Sequence, residues 1–157
     1  MTCLPLANRL VAYLENAIRE FPDGFYDSMD YTCTGNNLTH PITWGLLTNF
    51  VLKEIKGVVH IGIDLHLNTG TGEKFQPDVV AYGGAITNLT PLLFIDYESP
   101  NSSDGRLISK DIGPYLSWSE RTKADVPYIV ITTSTVTVSF WEPRRSRLGS
   151  SVAAGMS

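Results

Sequence analysis

The sequence predicts a mixed α/β protein, and three observations carry that expectation. Apolar residues recur at helical spacing up to about residue 56, the period shortens to two from residue 58, and a helix-rich stretch near residues 104 to 123 precedes two closing strands. The expected order is α-α-β-β-β-α-β-β, a mixed sheet flanked by helices. The length of 157 residues suits one domain, expected over residues 1–141. A hydrophobic content of 43% and a charged content of 18% are those of an ordinary globule, not of a disordered chain.

The first helix is expected from about residue 4. Leu6, Leu10, Leu14, Ala17, Ile18 and Phe21 fall on one stripe, and Pro5 is acceptable in a first turn. The run "FPDGFYDSMDYTCTGNN" is rich in turn formers and reads as a loop. A second helix is expected from Pro41 to Lys56, with Thr39 as its cap, Gly57 as its stop, and Trp44, Leu47, Val51 and Ile55 on one face.

In "VVHIGIDLHL" the alternation sets Ile61, Ile63 and Leu65 against His60, Asp64 and His66. "NTGTGEK" follows as a turn and "PDVVAY" as a strand, so residues 58–82 read as a hairpin. "TPLLFIDYE" is apolar on both faces, which predicts a central strand. Gly113-Pro114 is expected to break or kink the helical stretch after it. "VPYIVITT" and "TVTVSFW" close the domain, and residues 142–157 read as a fraying tail whose Arg144, Arg145 and Arg147 are solvated.

Several function classes find no support. A net charge of −4 does not suit a protein that coats nucleic acid by bulk electrostatics. No apolar run has membrane-spanning length. The N-terminus lacks the features of a signal peptide, which predicts a cytoplasmic protein. Cys3 and Cys33 share no ligand spacing and read as reduced structural thiols. His60 and His66 would stand about 20 Å apart along one strand, too far for a single ion.

The remaining signal lies in acids placed within apolar runs. Asp78 follows Pro77 at the head of one strand, and Asp96 and Glu98 share a face at the tail of the next. Carboxylates buried there would need a partner, a hydrogen bond or a cation. Oxygen-only ligands suit Mg²⁺ or Mn²⁺. Spacing alone leaves open the alternative that these acids end their strands in water.

Pro77-Asp78, then 17 residues, then Asp96-Tyr97-Glu98 resembles the PD-(D/E)xK signature of restriction-endonuclease-like nucleases. "FQPDVVAY", "LLFIDYESPNSSD", "SK" and "VPYIVIT" resemble, in order, one branch of that superfamily. Its members read PDVVVV, a strand ending in acid-x-x-Ser-Pro, a helix bearing lysine, and V-P-E-Y-W. The likeness covers roughly residues 38–140. It implies a restriction-endonuclease-like fold and an Mg²⁺-dependent (or Mn²⁺-dependent) DNA endonuclease, with DNA as partner and a homodimer as assembly. Asp78 and Asp96 would be catalytic acids and metal ligands. Glu98, standing where lysine is usual, would be a further ligand or a base, and Lys110 would occupy the place of a displaced catalytic lysine. Glu54, late in the second helix, is a weaker candidate. The second reading is a catalytically degenerate module that keeps the fold and binds nucleic acid or a protein partner.

Overall fold

A computed structural model describes residues 3–21, 39–98, 111–132 and 137–141. The chain divides into two compact units, Met1–Lys56 and Gly57–Ser157.

The first unit contains helices α1 (Cys3–Arg19) and α2 (Thr39–Glu54). The 3.6-residue period brings Leu6, Ala7 and Leu10 to one face of α1, and Leu47, Phe50 and Val51 to one face of α2. All six are buried, and the Tyr13 ring lies 5.5 Å from that of Phe50. Outside this apolar seam Arg9 pairs with Glu54 at 2.9 Å.

The second unit is built on a five-stranded mixed sheet. Its strands are β1 (His60–Ile63), β4 (Val79–Ala85), β5 (Asn88–Glu98), β6 (Tyr128–Thr132) and β7 (Thr137–Trp141), in the spatial order β1-β4-β5-β6-β7. All neighbours run antiparallel except β5 and β6, which are parallel. The expected central strand is indeed central. A parallel pair needs a long crossover, and helix α3 (Gly113–Thr122) lies in this one. Between β1 and β4 the chain also forms a two-residue ribbon, β2 (Leu67–Asn68) with β3 (Lys74–Phe75).

Helix α3 buries Pro114, Tyr115, Trp118 and Ser119, an i, i+1, i+4, i+5 stripe. Tyr115 and Trp118 pack against Phe75, Val80, Phe94, Tyr128 and Val130, which fixes the face of the sheet that α3 covers. Alternation along the strands then assigns Asp78 and Val80, Phe94 and Asp96, and Tyr128 and Val130 to that same face. Val79, Ala81, Leu93, Ile95, Ile129 and Ile131 belong to the opposite face and are also buried.

Gly113-Pro114 opens the α-helical part of α3, where a proline in the first turn gives up no intrahelical bond, and the stretch before residue 111, part of the run in which a break or kink is expected, lies outside the described residues. One local expectation differs from the structure. The alternation expected through Leu65 stops at Asp64, whose φ of +54° turns the chain out of β1. Ile63 and Leu65 are consequently exposed, and Gly62 is the buried residue of that strand.

The β4–β5 hairpin depends on Gly84. Its φ is +91°, and a Cβ there would stand 2.8 Å from the Asn88 carbonyl oxygen, a backbone atom that cannot move aside cheaply. Gly84→Ala is therefore expected to cost about 1–3 kcal/mol, the scale of a forced left-handed residue. Urea unfolding would show it as a lower midpoint at unchanged slope.

Candidate functional site

Asp78 is held from both sides before its side chain acts. The Asp64 N–H donates to the Asp78 carbonyl at 3.0 Å, and Gln76 Nε2 donates to the Asp64 carboxylate at 2.6 Å. Pro77 restricts the preceding backbone. The register that pairs Val79 with Ile95 sets Asp78 opposite Asp96 one step further on.

The two aspartates interlock. The Asp78 N–H donates to Asp96 Oδ1 at 2.8 Å, and the Tyr97 N–H donates to Asp78 Oδ2 at 2.7 Å. From the next strand the Tyr128 hydroxyl donates to Asp96 Oδ2. Tyr128 can do so because the parallel register pairs it with Phe94, two residues before Asp96 on the same face. Asp78 and Asp96 keep only 9% and 7% of their surface exposed, so neither is a strand-end acid in open water.

Such a site is electrostatically strained. Burial pushes the Asp96 carboxyl up to about 8, and the neighbouring charge of Asp78 adds to the rise. The hydrogen bonds from Tyr128 and from the Asp78 N–H oppose it, and the charge of Asp111 contributes a further small increase. Burial and the charge of Asp96 together hold the Tyr128 phenol well above its ordinary range. The rise favours the protonated form of Asp96 at neutral pH. That is the usual resolution when like charges face each other with little water.

The expected site residues divide accordingly. Asp78 and Asp96 are brought together. Glu98 ends β5, but its side chain, like Lys110 as a whole, lies outside the described residues, as do Cys33 and the arginines at 144, 145 and 147. Glu54 belongs to the first unit, where Arg9 engages it. Among the described residues no three His, Cys, Asp or Glu side chains form a metal-binding group.

Two residues of the network escape sequence reasoning. Tyr128 lies in a segment legible as a strand, but its reach to Asp96 depends on a parallel register that no local pattern encodes. Asp111 stands just before α3, and only the folded crossover brings its charge to bear on Asp96.

Comparison with known proteins finds no matching family model, no matching curated protein and no matching solved structure. The fold and site define a mixed α/β protein with a buried, hydrogen-bonded aspartate pair, one at the head of β4 and one in β5. Among the described residues no helix is long and apolar enough to cross a membrane.

Proposed function

We propose that this protein is a DNA endonuclease that hydrolyses phosphodiester bonds with Mg²⁺ or Mn²⁺, within a restriction-endonuclease-like fold. The reading is carried by one observation: Asp78 and Asp96, the two acids of the PD…D pattern, interlock on adjacent strands. Their oxygens are hard donors, and Mg²⁺ is commonly held by one or two carboxylates with water completing its shell. A carboxylate oxygen has two lone pairs, so accepting one hydrogen bond does not by itself bar it from a cation. Hard oxygen donors of this kind are the type that suits the ion.

When bound, the cation would neutralise charge on the phosphate and lower the pKa of a coordinated water. Asp78 and Asp96 would hold it, and binding would displace the Asp96 proton. Glu98 would serve as a further ligand or as the base that orients water. Lys110 would donate to the charge that develops on the phosphate.

One observation favours the second reading, a catalytically degenerate module. Both oxygens of Asp96 already accept hydrogen bonds in a nearly closed environment, which is also how a purely structural buried acid is satisfied. The deciding experiment is cleavage of supercoiled and linear DNA with Mg²⁺ or Mn²⁺, beside Asp78→Asn. Asparagine can still accept from the Tyr97 N–H, so the fold should survive the change. The expected result is a loss of cleavage by about 100-fold or more, the scale of removing one electrostatic partner of the reaction. Cleavage unchanged in Asp78→Asn would refute the site, and DNA retention without cleavage by the parent protein would establish the degenerate module.

A further inference from the structure

We propose that Tyr128 is a positioning residue of the cation site, fixing the carboxylate of Asp96 for an incoming divalent ion; this rests on the reading given under Proposed function. A buried tyrosine needs an acceptor for its hydroxyl, and a backbone carbonyl is the common solution. The neighbouring Tyr115 takes that solution, donating to the Val126 carbonyl at 2.8 Å. Tyr128 instead donates to Asp96 Oδ2.

The consequence is geometric. Oδ1 is held by the Asp78 N–H and Oδ2 by the Tyr128 hydroxyl, so the plane of the carboxylate is fixed at both ends. A carboxylate with one free oxygen could rotate, and a bound ion would then lose entropy in ordering it. Tyr128 is itself well placed to act as a fixed point. Its ring is fully buried, 4.8 Å from that of Tyr115 and 5.5 Å from that of Phe75. Hydrogen-bonded partners of this kind behind a metal-ligating group commonly change affinity by about 10- to 100-fold.

The test is Mn²⁺ binding to the full chain, followed by the loss of the free-ion electron paramagnetic resonance signal. Parent protein, Tyr128→Phe, Asp78→Asn and Asp96→Asn are compared, with the tyrosine absorption band recorded during each titration. Tyr128→Phe keeps the ring and removes only the hydroxyl. It is expected to bind Mn²⁺ about 10- to 100-fold more weakly. The parent should show a tyrosine difference spectrum as the ion engages Asp96, and Tyr128→Phe should lack it. A ring that merely filled space would give neither result.

If Tyr128→Phe binds Mn²⁺ like the parent while both aspartate variants lose it, Tyr128 has no positioning role and the cation site stands. A parent that binds Mn²⁺ with no tyrosine signal overturns the inference too, and that measurement needs no variant to fold. A parent that binds no better than the aspartate variants removes the cation site, and the inference with it.

Discussion

Phe94→Ala is expected to destabilise the protein by about 3–5 kcal/mol, the usual cost of truncating a fully buried phenylalanine. Phe94 has no exposed surface and stands at the centre of the cluster beneath α3. Its ring meets that of Trp118 edge to face at 4.9 Å and that of Phe75 at 5.0 Å. Truncation would remove the transfer energy of the ring, leave a cavity, and break aromatic contacts worth about 0.5–1.5 kcal/mol each. A domain of this kind is typically stable by about 5–15 kcal/mol, so one substitution would consume a large share. Urea unfolding checks the value, with Ile86→Ala as control. Ile86 is 83% exposed in the hairpin turn, and its loss is expected within about 0.5 kcal/mol of neutral. Equal costs for the two changes would contradict the placement of the core.

The same substitution tests how packing supports the site. Phe94 and Asp96 share a face of β5, and Tyr128 contacts both, one through its ring and one through its hydroxyl. A cavity at Phe94 would remove packing from the tyrosine whose hydroxyl bonds Asp96. Core and site are thus one layer of side chains, apolar in the middle of the strand and acidic at its end.

How much of this was legible follows from what each feature depends on. Helices α1 and α2 were readable because their stripes are local and buried on one side. Strand β5 was readable from Thr90 to Glu98 because that run is apolar on both faces, and the structure extends it back to Asn88. The pairing of Asp78 with Asp96 was legible only through a resemblance, since nothing in the spacing fixes an antiparallel register. The hairpin over residues 58–82 and its turn at 68–74 were legible, and β1 does pair antiparallel with β4, but the β2–β3 ribbon that closes the turn was not. It is held by contacts distant in sequence, with Arg121 donating to the Asn68 carbonyl at 2.6 Å and Ser117 to Glu73 at 3.1 Å. The turn at Asp64 was missed because a left-handed residue other than glycine leaves no trace in hydrophobic period.

Asp96→Asn carries the second large effect, on the pH dependence of stability. The Asp96 carboxyl is raised to about 8 in the folded protein and returns to about 3.9 when unfolded. Below about pH 4 both states hold the proton and the group contributes no pH dependence. Between about pH 4 and pH 8 the folded state keeps a proton that the unfolded state has released. Stability therefore falls as pH rises, by up to about 1.4 kcal/mol per unit. Above pH 8 both states are ionised and the loss levels off. Asparagine is neutral like the protonated acid, and its oxygen can still accept from the Asp78 N–H, while the Tyr128 hydroxyl loses the acceptor it has in Asp96 Oδ2. At pH 5 the variant is expected within about 1–2 kcal/mol of the parent, the scale of one lost hydrogen bond. At pH 8.5 or so it should be the more stable protein by a few kcal/mol, on the order set by the linkage. Urea midpoints measured across this range in chelator decide the matter. Parallel curves would mean that Asp96 is ionised throughout, its charge already compensated within the protein. Converging curves on adding Mg²⁺ to the parent would show the ion taking the place of the proton, because a cation that binds the ionised pair stabilises the parent most where the proton has been lost.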